Sequence, residues 1–212
     1  MRFVFFGAPG AGKGTLAVKA SIEFGLPHVS TGDLFRVAIS EGSELGKKVK
    51  TLIDDGNLVP DELTNAMVFE RLALPDAKDG WLLDGFPRTI PQAQALSDRY
   101  PADMVLDIEV GDPTIIERLA GRRMCSGCSR SYHTVFVPPR NEGLCDACGS
   151  KLYVRPDDHE DAVRQRLVSY RKKTEPLIAY YRDRNKLVSI RGEGSTDKVW
   201  NELKTIMARH LA

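Results

Sequence analysis

The 212-residue chain has no apolar run of about 18 residues, so no segment reads as a membrane-spanning helix. It also has almost no net charge: 30 Lys and Arg stand against 29 Asp and Glu, leaving +1. No global electrostatic attraction to nucleic acid or to an anionic membrane surface is expected from that balance. Aromatic residues are only 8% and do not interleave with a basic stripe, which argues against a stacking surface for single-stranded nucleic acid. Internal repeats and low-complexity tracts are absent. The N-terminal residues lack the charged, apolar and small-residue regions of a secretory signal, so the expected location is cytoplasmic. What remains, 42% hydrophobic and 28% charged, is the composition of a globular chain with room for one large α/β domain and insertions.

Cysteine is scarce, but its placement is informative. Cys125 and Cys128 form one C-x2-C pair and Cys145 and Cys148 another, with 16 residues between the pairs. In a reducing compartment this spacing points to a tetrahedral thiolate zinc site; two disulfides or an iron centre are the alternatives. Residues 122–155 contain Pro138-Pro139 and scattered Ser and Gly, show no helical period and are poor in aliphatics. A bound metal would supply the stability that such a segment cannot draw from a core, so an inserted subdomain of short strands is expected there. His133 follows the first pair, but four cysteines already complete a ligand set.

The strongest motif is Gly7-Ala-Pro-Gly-Ala-Gly-Lys-Gly-Thr15, directly after the apolar run Phe3–Phe6. A strand feeding a glycine-rich turn and then a helix aims backbone N–H groups and a helix N-terminus at one point, and Lys13 adds a full positive charge. That arrangement suits the phosphates of a nucleotide. The hydroxyl residue that usually follows the lysine as a magnesium ligand is replaced by Gly14, with Thr15 one place later. Magnesium is therefore expected to rely on nucleotide oxygens, waters and carboxylates elsewhere.

Five apolar segments, 3–6, 27–29, 81–83, 104–109 and 187–190, alternate with helical patterns, which predicts a parallel sheet covered on both faces. Helices are expected from the phosphate loop to Phe24, in two pieces over 31–55, and from a cap at Asp112 with Pro113 to Gly121. Further helices are expected from about Asp158 toward Asn185 with a break at Pro176, and from about Ser195 onward. Ser43 is a candidate cap, and Gly42 and Gly56 punctuate the second stretch. Asp84-Gly-Phe-Pro-Arg88 follows the strand at 81–83, at the same sheet edge as the phosphate loop. Asp84 and Asp33 are candidate holders of magnesium's waters, and Arg88 has a planar fork suited to a second anion. Asp157 and Asp158 are candidate partners of the nearby arginines, with helix capping as the alternative.

With these motifs in place, the chain resembles the adenylate kinases over essentially its full length. The likeness rests on GAPGAGKGT at 7–15, STGDLFR at 30–36, LLDGFPRTIPQA at 82–93, GRR at 121–123, RPDD at 155–158 and the Arg164 and Arg166 pair. It implies a P-loop nucleoside-monophosphate kinase fold with a core (1–29, 60–121, 160–212), an AMP-binding segment (30–59) and a long, zinc-binding lid (122–159). The implied reaction is MgATP + AMP ⇌ 2 ADP in a monomer, with no nucleic-acid or membrane partner. By matching position, Gly10, Ala11, Gly12, Lys13, Gly14 and Thr15 would hold ATP phosphates, joined by Arg118, Arg122, Ser131, Tyr132 and Thr196. Thr31, Arg36, Asn57, Val59, Gly85, Arg88, Gln92, Arg155 and Arg166 would hold AMP, with Gln92 as the adenine reader. Lys13, Asp84, Arg88, Arg122, Arg155 and Arg166 would serve the transfer itself. A kinase for UMP or CMP, or an ATP-driven nucleic-acid-binding protein with a zinc knuckle, are the competing readings.

Overall fold

The computed structural model describes residues 1–42, 44–55 and 57–211. Five parallel strands form the central sheet: β1 (Arg2–Phe6), β2 (His28–Ser30), β3 (Trp81–Asp84), β4 (Met104–Glu109) and β8 (Leu187–Arg191). Their order is β2-β3-β1-β4-β8. Phe3 through Phe6 are all almost fully buried because both sheet faces are covered. Val4, Phe6, Leu83 and Val105 pack on one face against α4 (Asp61–Leu72), α5 (Ile90–Arg99) and α8 (Pro176–Arg182). Phe3, Phe5, Leu82, Leu106 and Ile108 pack on the other, against α1 (Lys13–Phe24) and α9 (Thr196–Leu211). The chain leaves β1 for one side of the sheet and, after β3, crosses to the other side for β4. The loop after β1 therefore lies at the switch point, where an open parallel sheet leaves a crevice at its carboxyl edge.

The helix ends follow local chemistry. Gly25 closes α1 in the left-handed region, its N–H returning to Ser21 O. Ser30 caps α2 (Thr31–Ser40) by accepting from Asp33 N, and Thr89 caps α5 by accepting from Gln92 N. The stretch over 31–55 divides into α2 and α3 (Glu44–Asp54); the expected cap at Ser43 and the break at Gly56 lie outside the described residues. In α6 (Asp112–Ala120) the cap is Gly111 rather than Asp112, since Ile115 N–H bonds Gly111 O; Asp112 and Pro113 fill the first turn. The helix expected from 158 starts later, at α7 (Glu160–Ser169), because Pro156–Asp158 make a short 3₁₀ turn. Pro176 does break it. Without an N–H, Pro176 cannot continue the ladder; Tyr170–Thr174 widen into a π turn, and α8 begins at the proline.

Residues 122–153 form the expected insertion, a three-stranded antiparallel sheet in the order β6 (Ser131–His133), β5 (Arg122–Cys125), β7 (Leu152–Tyr153). Its core is small: Cys125, Tyr132 and Cys145 are buried, with Leu152 against them. His133 anchors it to α6. Its Nδ1 accepts from the N–H groups of Val135 and Phe136, and its Nε2 lies 3.3 Å from Glu117 O.

One buried carboxylate near the carboxyl edge lacks support. Asp107 in β4 is 2% exposed, and its Oδ2 has no hydrogen-bond partner among the described residues. Burial, reinforced by Glu109, pushes its pKa up to about 6. A carboxyl whose folded pKa exceeds its unfolded value costs nothing while both states are protonated, and destabilises progressively as pH rises from about 4 to 6. Asp107→Asn should therefore match the parent in stability near pH 4 and exceed it at pH 8, by on the order of 2 kcal/mol. Urea unfolding at both pH values measures this; the same difference at each would exclude a buried charge as its cause.

Candidate active site

The phosphate loop is shaped by close backbone packing. Gly7 has φ of +133°, and a Cβ there would lie 2.5 Å from Ile108 O, so no side chain fits between β1 and β4 at this turn. Helix α1 then starts at Gly12 with no side-chain cap and no acidic residue in its first turn. Its leading N–H groups and partial positive charge are left for an anion. Lys13 Nζ folds back over the loop and donates to Gly7 O at 2.8 Å and Ala8 O at 2.9 Å. Burial lowers its pKa to about 8; Asp84 opposes that effect, while Arg88, Arg166 and Arg122 add to it.

The mutual influence of these groups means that the fold brings together residues far apart in sequence. Burial lowers the Arg88 pKa; Arg166 and Arg36 add to that effect, while Asp84 and Asp157 oppose it. Burial, then Arg36 and Arg122, pulls Arg155 down to about 10, and its buried Nε has no partner among the described residues. An orphaned guanidinium donor inside a cationic cluster marks a place for an acceptor-rich ligand. Two carboxylates partly balance the cluster. Asp158 receives both arms of the Arg122 guanidinium, and Arg166 reaches Asp157 at 2.9 Å and Asp158 at 3.2 Å. Asp157 and Asp158 thus take the ion-pairing role rather than capping α7, whose cap position is His159.

Asp84 ends β3 opposite Phe5, beside the loop. Despite the cost of burial, its carboxyl stays below the ordinary range because His28, Lys13 and Arg88 surround it. A Cβ on Gly14 would lie 3.3 Å from Asp84 Oδ2. The hydroxyl residue usual at that position would crowd the carboxylate, so the missing hydroxyl and the nearby Asp84 are two sides of one arrangement. Oxygen donors of this kind suit a hydrated magnesium ion. Asp33 is instead paired with Arg36 at 2.6 Å.

The neighbouring segment is held by hydrogen bonds around Gly85 and Arg88. Thr31 Oγ1 donates to Gly85 O at 2.9 Å, and Arg88 Nε donates to the same carbonyl at 2.7 Å. Gln92 Oε1 accepts from Arg88 N, and Thr174 Oγ1 donates to Arg88 O. Val59 is buried with Phe35 and Val49, and Asn57 Oδ1 accepts from Gln165 Nε2 at 3.2 Å. Sequence reasoning missed His28, Asp61 and Thr174 at this site. His28 sits in register beside β3, and the polar residue opening β2 was its only signal. Nothing in the sequence indicates that Thr174 reaches back 86 residues.

On the donor side, Arg118 joins two loops, donating to Ala11 O at 3.2 Å and to Gly192 O at 2.8 Å. Thr196 is exposed as the first residue of α9, and Ser131 is exposed on β6. Tyr132 points elsewhere. Its buried hydroxyl lies 3.3 Å from Cys145 Sγ and accepts from Asp146 N, which leaves only its backbone for any nucleotide contact. The four cysteine sulfurs lie within 4.8 Å of one another. The separations Cys125–Cys148 of 3.4 Å and Cys128–Cys145 of 3.6 Å exceed a disulfide bond and approach the edge of about 3.8 Å expected around a tetrahedral metal with 2.3 Å bonds to sulfur. The N–H groups of Gly127, Cys128 and Ala147 point at Cys125 and Cys145 sulfurs, as suits thiolates. The donor set is compatible with zinc. His133 is not part of it.

The Lys13 pKa has a measurable consequence. A phosphate binds the ammonium form, so affinity for a nucleoside triphosphate should hold below pH 7.5 and then weaken as pH rises through about 8, approaching tenfold per pH unit. Calorimetric titration across pH 7 to 9.5 checks this; a flat profile would mean that Lys13 stays charged throughout.

A family model described as adenylate kinase matches residues 5–186. An adenylate kinase of Treponema denticola is 50% identical, aligned over 96% of this chain and 98% of its own length. Those of Methanococcoides burtonii and Streptomyces avermitilis are 48% and 49% identical, covering 96% and 100% of this chain and 96% and 99% of their own. With a phosphate loop, a cationic cleft and a four-sulfur insertion on one parallel sheet, the chain belongs to the adenylate kinase family.

Proposed function

We propose that the protein transfers a phosphoryl group reversibly from MgATP to AMP, giving two ADP. The observation that carries this reading is the gathering of Lys13, Arg88, Arg122 and Arg166 around the uncapped start of α1, with Arg155 beside Arg122 and Arg36, in a chain whose net charge is only +1. Two polyanions repel, and a site that accepts both needs such a cluster. The family name and the identities near 50% support the same substrates. Among the described residues, no helix is long and apolar enough to cross a membrane. The reading includes a cytoplasmic location, in keeping with four unpaired thiols, and a monomer, which the family resemblance alone implies.

In this mechanism the loop from Gly10 to Thr15, with Lys13, holds the donor's terminal phosphates, and Arg118, Arg122 and residues 131–132 and 196 complete the donor side. Thr31, Arg36, Asn57, Val59, Gly85, Arg88 and Gln92 hold the acceptor. The bond from the γ-phosphorus to the ADP oxygen breaks as one forms to an AMP phosphate oxygen. That oxygen is already ionised, so no general base is required. Charge spreads over the equatorial oxygens of a loose transition state, where Arg88, Arg122, Arg155 and Arg166 neutralise it. Magnesium, when bound, withdraws further phosphate charge, and Asp84 would hold its waters. Residues 122–159 would act as a lid that excludes water, the competing acceptor, as lids in this family do, over a 30–59 segment that carries AMP. Zinc held by Cys125, Cys128, Cys145 and Cys148 would keep that lid rigid; four thiolates leave no open position for catalysis.

Two measurements test this reading. ADP formation from MgATP should be fast with AMP and slight with UMP, CMP, GMP or no acceptor. Preference for a pyrimidine monophosphate would overturn the acceptor assignment, and acceptor-independent hydrolysis would overturn the two-nucleotide site. Cys145→Ala should lose bound zinc by elemental analysis and lower the melting temperature far more than turnover at 20 °C, by roughly 5–10 °C if a few kcal/mol of lid stability are lost. Lost turnover with an unchanged melting temperature would reject a purely structural role.

A further inference from the structure

Asp61 lies in the first turn of α4 and meets the site through Thr89 and Gln92. Both of its carboxylate oxygens are engaged. Thr89 Oγ1 donates to Oδ2 at 2.7 Å, and Gln92 Nε2 donates to Oδ1 at 2.7 Å. On its other side, Gln92 Oε1 accepts from Arg88 N at 2.7 Å. Gln92 itself is only 2% exposed, so little solvent competes for these bonds.

These contacts decide which way the Gln92 amide faces. Its oxygen and nitrogen have nearly the same shape, so packing alone does not choose between the two orientations. An ionised carboxylate only accepts, so the NH₂ group must face Asp61. A backbone N–H only donates, so Oε1 must face Arg88. The flipped amide would set an oxygen against a carboxylate and an NH₂ against an N–H. After both bonds are made, one lone pair on Oε1 and one hydrogen on Nε2 remain, side by side on the same planar group.

We propose that Asp61 is the positioning residue that sets base specificity in the acceptor site, by locking the Gln92 amide with one acceptor and one donor turned to the base. The inference rests on the reading of Gln92 as the base-facing residue for AMP. The locked edge matches a 6-aminopurine, whose exocyclic amine donates to Oε1 and whose ring N1 accepts from Nε2. A 6-oxopurine presents the reverse, an oxygen at position 6 and an N1–H. It would require the flipped amide and would break the charge-assisted bond to Asp61. Discrimination then comes from a residue that never touches the base.

An ordinary structural role is the competing account, because a carboxylate in the first turn also favours the helix. That role predicts equal losses for every acceptor. The test compares kcat/KM for AMP and IMP, which differ at position 6 and in N1 protonation, in the parent and in Asp61→Asn. Dissociation constants for the two monophosphates are measured alongside. An asparagine offers both a donor and an acceptor, so it removes the Asp61 half of the lock and leaves only the Arg88 N–H to oppose the flip. The AMP-to-IMP ratio should fall by about tenfold, in kcat/KM and in affinity. Asp61→Ser, whose hydroxyl also donates and accepts, should shift the ratio the same way and serves if the asparagine variant does not fold. An unchanged ratio with both acceptors weakened equally would overturn the proposal. A parent enzyme that does not use AMP would instead overturn the reading on which it rests.

Discussion

The constraint on which the rest depends is electrostatic: five buried or half-buried cations, Lys13, Arg88, Arg122, Arg155 and Arg166, share one cleft with few counter-charges. Left to itself such a cluster would push apart, and each guanidinium would seek water. The fold opposes this with carboxylates placed at the periphery. Asp157 and Asp158 hold Arg122 and Arg166 from the turn before α7, Asp33 holds Arg36, and Asp84 faces Lys13. None of these pairs neutralises the centre, and the orphaned Nε of Arg155 is the residue of that imbalance. The cleft is preorganised for charge that arrives with the substrates, which is where electrostatic catalysis gains most: its dipoles need not reorganise as the reaction proceeds.

Holding like charges together needs a rigid frame, and the sheet supplies it. Phe5 pairs with Asp84 and Phe6 with Asp107 across β3, β1 and β4, so the carboxylates that flank the loop are fixed by strand register. Both faces of those strands are covered by fully buried apolar side chains, which leaves the carboxyl edge no freedom to slip. The cationic side chains reach that edge from separate elements: Lys13 from α1, Arg88 from the loop before α5, Arg122 from β5, and Arg166 from α7.

Much of this was legible in the sequence, for reasons that differ by element. The phosphate loop was readable because backbone geometry demands glycine and the chemistry demands lysine at fixed spacing. The four cysteines were readable because paired C-x2-C thiols at this spacing can converge into one tetrahedral donor set, as their sulfurs do. The five strands were readable as short apolar runs because burial on both faces removes any alternation to misjudge. Helix starts were less accurate. Gly111 replaces Asp112 as a cap, and Pro156 delays α7, since a backbone hydrogen bond can satisfy a helix end as well as a side chain does. Tyr132 shows where positional resemblance stops: alternation along β6 turns its side chain into the sulfur cluster, while its neighbour Ser131 faces solvent. The side chains that position others, His28, Asp61 and Thr174, left almost no trace, because their partners lie tens of residues away and their residue types are ordinary at a helix start or strand end.

Thr174 shows how a local sequence rule becomes part of a distant site. Pro176 removes one helical hydrogen bond, and the chain responds by widening over Tyr170–Thr174, with Glu175 N–H bonding Tyr170 O. The widened turn leaves Thr174 buried with its hydroxyl on Arg88 O. Arg88 N is meanwhile held by Gln92, and the Arg88 side chain by Gly85 O. The one arginine most central to the cationic cluster is therefore fixed at its N–H, its carbonyl and its guanidinium. A regular helix through position 176 would carry Thr174 on a different track and free the carbonyl. A proline that looks like a flaw in a long helix thus helps keep Arg88 in place against the repulsion of its neighbours.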